Sequence, residues 1–191
     1  TEAGAWYVGY RVSSRSFPNR RIVLAPGRAM VLPTADAAPS DNPYISYNCL
    51  RSLGQTVIVA NGSQVDPMID KLGAGYGLRD TLALPLLALD YERDSLNTPR
   101  VAAALDAERD EAWLAIVAQD RLTIERVVPS AGQALLIATY ERTEPTPIAL
   151  SGETPEALAK ALYDCEYERP VAALAAHYSD GSLRMAIHPA S

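Results

Sequence analysis

Alternating apolar and polar runs joined by very short turn sequences constrain the fold of this chain more than any other feature. Arg21 to Ala25 and Arg28 to Pro33 flank Pro26-Gly27, Ile45 to Leu53 and Thr56 to Ala60 flank Gly54-Gln55, and Val171 to Tyr178 and Ser182 to His188 flank Asp180-Gly181. Turns this short join only antiparallel strands, because a parallel pair needs a crossover of about a dozen residues or more. Trp6, Val8, Tyr10 and Val12 alternate with Tyr7, Gly9, Arg11 and Ser13. A strand from Ala5 to Val12 therefore places Arg11 opposite the apolar set. Pro99 to Val128 reads as further strands with turns near Glu108-Arg109-Asp110 and Gln119-Asp120, and Gln133 to Tyr140 as another.

Helical period is confined to a few windows. Met68, Ile69 and Leu72 fit a short helix, and Leu78 to Leu89 a more apolar one separated from it around Gly73 to Gly77. Pro85 bends the second helix or marks its start. Thr154 as N-cap with Pro155 at N1 opens a third, running to about Tyr163. Segregated hairpins and helices predict a single α+β domain over residues 1 to 191 with antiparallel sheets. No Gly-rich strand-to-helix loop supports a dinucleotide or P-loop site.

Seventeen Lys+Arg against 23 Asp+Glu leave a net charge of −6, which offers no general positive field to nucleic acid or an anionic membrane. Only Lys71 and Lys160 are lysines, so arginine dominates the cations. A GC-rich coding bias accounts for the excess but not for the crowding of Arg11, Arg15, Arg20 and Arg21. Guanidinium groups make bidentate contacts with phosphate or carboxylate that lysine cannot.

Cys49 and Cys165 are too few and too far apart for a disulfide framework or a zinc site, and each reads as a buried free thiol. No apolar run reaches the roughly 18 to 20 residues of a membrane span, and no signal peptide opens the chain, so the expected location is cytoplasmic. Asn61-Gly62-Ser63 matches a glycosylation sequon, yet Asn-Gly is naturally a turn. Thr1 is weighed as an N-terminal nucleophile and set aside, because Thr1 to Gly4 reads as a turn and a missing upstream segment is expected.

Three constellations carry candidate chemistry. Arg11 to Arg20 (RVSSRSFPNR) combines guanidiniums with hydroxyls between two strands, and suits either a phosphate site or a solvated turn. Asn42 to Cys49 (NPYISYNC) offers the Tyr47 phenol and Asn48 amide at a strand start, where tyrosine is also an ordinary half-buried strand residue. Asp90-Tyr91-Glu92-Arg93-Asp94 puts three carboxylates at the negative end of an apolar helix, so something else must hold them. Pairing to arginine is one answer, and acid–base service in a pocket is the other. His177 and His188 share the last hairpin without a third ligand candidate, so no metal site is expected.

RVSSRSFPNR, NPYISYNC, NGS at 61 to 63, LALDYERDSLNTPR at 87 to 100 and TYERTEP at 139 to 145, in that order, resemble the archaeal-type inosine monophosphate (IMP) cyclohydrolase family. The resemblance covers most of the chain and is weakest at 34 to 41 and after about Gly152. It implies an N-terminal-nucleophile-hydrolase-like fold of four αββα layers that does not use the terminal nucleophile. Family members begin with a further strand ahead of Thr1 to Gly4, a departure that implies a missing first strand here.

The implied reaction closes the ring of 5-formamidoimidazole-4-carboxamide ribotide (FAICAR) to give IMP and water, the last step of purine synthesis, without metal or cofactor. By that resemblance the 5′-phosphate and developing oxyanion fall to Arg11, Arg15 and Arg20, with Ser13, Ser14 and Asn19 as supporting donors. Tyr47 is assigned as proton donor or oxyanion partner and Glu92 as the proton-handling carboxylate. Asn48, Asn61, Gly62, Ser63, Asn97, Thr98 and Arg100 are left to bind and orient the carboxamide, ribose or base. The partner implied is a purine ribonucleotide, with self-association of the chain also plausible. Two rivals stand beside this reading: a non-catalytic ribonucleotide-binding protein, and an amidase with an exposed N-terminal nucleophile.

Overall fold

A computed structural model describes residues 6–14, 17–37, 44–130 and 132–189. Thr1, Ala5, Arg15 and the Asn42-Pro43 pair lie outside the described residues. The hairpins form where the turns predict them. Strands β1 (Val8–Ser13), β2 (Arg20–Ala25), β3 (Arg28–Pro33), β4 (Tyr47–Leu53) and β5 (Thr56–Ala60) come first. Helices α1 (Val65–Gly73) and α2 (Leu78–Leu89) follow, then β6 (Arg100–Asp106), β7 (Glu111–Ala118) and β8 (Arg121–Val127). The chain continues with β9 (Ala134–Leu136), β10 (Thr146–Ile148), α3 (Pro155–Asp164), β11 (Pro170–Ser179) and β12 (Ser182–His188).

Strands β2 to β8 make a seven-stranded antiparallel meander in chain order, while β1, β11 and β12 make a separate three-stranded sheet with β11 in the middle. The chain therefore crosses from the small sheet to the large one between Ser13 and Arg20, within the arginine-rich run. β5 and β6 are direct antiparallel neighbours even though α1 and α2 lie between them in sequence. Both helices consequently lie against one face of the large sheet.

The layers follow from what each face buries. Val8 and Val12 of β1 and Ala172, Leu174 and Ala176 of β11 meet Ile22, Val31, Cys49, Val57 and Leu105 between the two sheets. On the other face of the large sheet, Ile58, Ala60, Ala102 and Ala115 pack against Met68, Ile69, Leu82 and Leu86 of the helices. Each fully buried Val, Ile, Leu or Met among them contributes about 1.5–3 kcal/mol, and the alanines less. α3 covers the outside of the small sheet through Leu158 and Ala159 against Ala175. A Cβ on Gly9 would lie 2.8 Å from Leu162 Cδ2, so glycine lets α3 approach β1 closely.

Differences from the sequence reading have local causes. β1 is covered on both faces, so the side carrying Arg11 faces α3. The strand expected over Gln133 to Tyr140 shrinks to β9, paired to β10, a three-residue strand with Pro147 at its centre and no alternation to reveal it. α2 runs through Pro85, which lies buried within the helix and neither breaks nor starts it. Cys49 is buried, but Cys165 is only partly so. The Thr154 side chain accepts from Ala157 N at 3.2 Å, the N-cap its type and position predict.

Candidate active site

The starts of β2, β4 and β6 and the end of β5 lie at one end of the large sheet, and they deliver Arg20, Tyr47, Arg100 and Asn61-Gly62 there. The loop after α2 adds Glu92. Its path is set by Asp90, whose φ of 60° turns the chain out of the helix in a conformation unusual for a non-glycine residue. The Asp90 carbonyl accepts from Arg100 Nε at 2.9 Å, and Glu92 N donates to Thr98 O at 2.8 Å. Asp94 closes the loop by accepting from Leu96 N, Thr98 N and Thr98 Oγ1 at 3.1, 2.9 and 2.8 Å. Burial alone would raise the Asp94 carboxyl, but those bonds from Thr98 outweigh it and hold it below its ordinary range.

Glu92 and Arg100 form a buried pair, Oε1 to Nη1 at 3.2 Å, with side chains 9% and 10% exposed. Burial raises the Glu92 carboxyl to about 7. Arg100 and Arg20 pull it down and Asp94 pushes it up, and burial wins. A carboxyl there is about half protonated at neutral pH, which suits it both to take and to give a proton.

Tyr47 faces the space between the sheets, where its hydroxyl lies 2.7 Å from that of Tyr10 on β1. Burial lifts the Tyr47 phenol to about 12, against the lowering effects of Arg20 and of the Tyr10 bond. Burial likewise holds Tyr10 well above the ordinary phenol. Both therefore stay neutral hydrogen-bonding groups near pH 7. Arg20 lies within electrostatic reach of Tyr10, Tyr47 and Glu92, and its Nε donates to Phe17 O at 3.0 Å. Cys49, lifted by burial to about 12, belongs to the core.

Gly62 shows why Asn61-Gly62 takes this form. It is buried, and a Cβ on it would sit 2.7 Å from Gln64 Oε1, 2.9 Å from Arg100 Nη1 and 3.4 Å from Glu92 Oε1. Close approach, not a left-handed turn, requires the glycine. Asn61 is committed to framework: its Nδ2 donates to Pro99 O at 2.9 Å, and its Oδ1 accepts from Val101 N at 2.9 Å and Gln64 Nε2 at 2.8 Å.

Other expected residues lie elsewhere. Arg11 does not join the cluster: Nη1 donates to the carbonyls of Leu162 and Cys165, Nη2 to those of Tyr167 and Glu168, and Nε to Ser13 Oγ. With every nitrogen engaged, Arg11 ties the end of α3 and the following segment to β1, apart from the Arg20 and Arg100 guanidiniums. Ser13 is engaged by Arg11, and Ser14 Oγ accepts from Phe17 N at 2.9 Å. Asn19 is exposed, and its carbonyl accepts from Thr34 N at 3.0 Å. Asn48 points to the opposite face of β4 from Tyr47, where Nδ2 donates to Asp66 Oδ1 at 2.9 Å beside Arg51. Ser63 is exposed at the approach to α1.

Thr98 is buried and bonds Asp94 and the Tyr140 hydroxyl, the latter at 3.0 Å. Asn97, with φ of 49°, is exposed and donates to Gln119 Oε1 at 3.3 Å. An open depression of about 770 Å³ lies there, bordered by Asn97, Gln119, Thr139 and Tyr140. An apolar cavity of about 730 Å³ lies elsewhere, lined by Trp6, Trp113, Leu135, Leu150 and Leu162, and it contains none of the clustered acid–base groups. Both histidine rings pack on tyrosines: His177 stacks on Tyr7 at 4.5 Å, and His188 meets Tyr163 edge-on at 5.0 Å.

Sequence reasoning missed Tyr10 and Gln64. Tyr10 is counted in an apolar alternation that hides its hydroxyl, and Gln64 is one neutral residue beyond a turn motif.

An α+β fold that gathers a near-neutral carboxyl, a phenol pair and two guanidiniums at one sheet end has the equipment of an acid–base enzyme. A family model described as IMP cyclohydrolase-like protein matches residues 1–182. The IMP cyclohydrolase of Natronomonas pharaonis is 52% identical over 165 residues, covering 86% of this chain and 83% of the relative. That of Methanocella arvoryzae is 40% identical over 186 residues, 97% and 92% of the two chains, and that of Haloquadratum walsbyi 44% over 168 residues, 87% and 82%. The chain belongs to the IMP cyclohydrolase-like family.

Proposed function

We propose that this chain is an enzyme that closes FAICAR to IMP with loss of water. The observation that carries the reading is Glu92, a buried carboxyl at about 7 held beside Arg100, in a chain whose relatives are IMP cyclohydrolases.

The chemistry needs little beyond what these side chains offer. The carboxamide nitrogen attacks the formyl carbon and loses a proton, while the formyl oxygen gains one to give a carbinolamine. The carbinolamine then expels its hydroxyl as water, with a proton supplied to the oxygen and the former formamide nitrogen giving one up. Glu92 takes the carboxamide proton and passes it to the formyl oxygen. It then takes the proton of the former formamide nitrogen and delivers it to the departing hydroxyl, a double role suited to its position near neutrality. Tyr47, neutral and buttressed by Tyr10, donates a hydrogen bond to the developing oxyanion. Arg20 and Arg15 take the phosphate, and Arg100 holds the carboxylate. Asn97 contacts the ribose or base at the rim of the open depression, and Thr98 holds the loop behind it through Asp94 and Tyr140. Both reacting groups belong to one substrate, so holding them in near-attack geometry supplies much of the acceleration. The reaction is redox-neutral and requires no cofactor.

The helix–sheet–sheet–helix layering supports an N-terminal-nucleophile-hydrolase-like fold. Purine synthesis fits a cytoplasmic location, and no helix among the described residues is long and apolar enough to cross a membrane. Self-association remains part of the proposal. Purified protein mixed with FAICAR and followed by purine absorbance tests the function: absorbance grows in proportion to enzyme. Tight binding of IMP without ring closure would replace the enzyme by a nucleotide-binding protein.

A further inference from the structure

Gln64 lies in the same cluster as Glu92, yet neither the proposed chemistry nor local helix formation uses it. It stands immediately before α1 but makes no side-chain cap bond there, and it is completely buried. Its Nε2 donates to Asn61 Oδ1 at 2.8 Å and to Val101 O at 3.3 Å, which leaves Oε1 to accept from Arg100 Nη1 at 3.1 Å. The same Nη1 donates to Glu92 Oε1 at 3.2 Å. The two N–H bonds of one guanidinium nitrogen thus go one to an amide oxygen and one to a carboxylate oxygen, and bare Gly62 lets all three groups converge.

We propose that Gln64 is a positioning residue for ring closure: by accepting one N–H of Nη1, it anchors Arg100 between two acceptors, limits its bond to Glu92 to the other N–H, and leaves Glu92 free to exchange its proton. An undivided Arg–carboxylate pair holds the acid as a permanent anion, with its proton affinity lowered by about 1–3 pH units. The shared pair avoids that. Among the described residues, the charged and titratable groups around Glu92 are Arg100 from β6, Arg20 from the start of β2, Asp94 from its own loop and Tyr47 from β4. Gln64 is the neutral member that sets how the nearest of them is used. The framework does not otherwise need its amide, because Asn61 Oδ1 keeps Val101 N and Val101 O keeps Asn61 N.

The inference rests on Glu92 being the proton carrier, and two substitutions test the two parts separately. Gln64→Met removes the acceptor that anchors Nη1, lets the guanidinium turn more fully onto Glu92, and should lower the midpoint at which Glu92 titrates. Gln64→Glu adds a second carboxylate and should raise it, each by about one pH unit. Infrared difference titration of the carboxyl stretch, assigned by its absence in Glu92→Gln, reads that midpoint without any activity. The matching limb of the kcat/KM profile should move with it. Midpoints unchanged in folded Gln64→Met, or moving the same way in both variants, would overturn the role of Gln64. Midpoints that move while the rate profile stays fixed would overturn Glu92 as carrier and, with it, the catalytic part of the inference. Should Gln64→Glu fail to fold, the downward shift in Gln64→Met still decides.

Discussion

Glu92 shows how one side chain takes its chemistry from its surroundings. Its midpoint of about 7 lies above the ordinary 4.5, so the folded state binds more protons than the unfolded state between those values. The sign follows: folded stability falls as pH rises from about 4.5 to 7, since the carboxyl must ionise where it is buried. Thermal melts of the wild type and Glu92→Gln across that range should show the wild type losing stability relative to the variant as pH rises. A constant difference would contradict the buried acid. Tyr47 makes a separate demand. Tyr47→Phe removes the neutral donor and keeps the ring, so kcat should fall about 10²-fold with KM little changed; steady-state kinetics on FAICAR check it, and unchanged turnover removes Tyr47 from the mechanism. Glu92, Tyr47 and Arg100 were readable as candidates because each sits in a run rich in chemical groups. The Tyr10–Tyr47 contact was not, because it joins strands 37 residues apart across two sheets.

Elements explain why some polar residues serve the frame. Arg11 satisfies carbonyls at and beyond the end of α3, where a helix leaves its last acceptors without partners. Arg11→Met should lower stability by about 1–3 kcal/mol by leaving those acceptors unpaired, while KM for FAICAR stays at the wild-type value. A large rise in KM without loss of stability would return Arg11 to the phosphate. Thr154→Ala removes the α3 cap and should cost about 1 kcal/mol, seen as a Tm lower by about 2–4 °C with kinetics unchanged. The cap and the hairpins were legible because short turns and N-caps are local chemistry. The destination of Arg11 was not: alternation showed that it left the apolar face, but only the placement of α3 over β1 decides what it meets there. β10 escaped for a similar reason, since its short pairing with β9 leaves no period in the sequence.

At the scale of the whole molecule, a chain with net charge −6 brings two guanidiniums, Arg20 and Arg100, together with Glu92 at one end of a seven-stranded sheet. The strand order explains the gathering: a meander brings the starts of β2, β4 and β6 to the same end, and the helices inserted between β5 and β6 return the chain there with Glu92. Antiparallel layering followed from the turns alone. The assembly of the site did not, because it depends on which strands are neighbours and on the left-handed exit at Asp90. The central claim is that Glu92 carries the protons of ring closure, and the pH dependence of kcat/KM for FAICAR in the wild type and Glu92→Gln tests it most directly. The predicted result is a wild-type limb near pH 7 that vanishes in the variant, with turnover reduced about 10²–10⁴-fold and IMP binding retained. A folded Glu92→Gln enzyme that closes the ring at the wild-type rate with the same profile would contradict it.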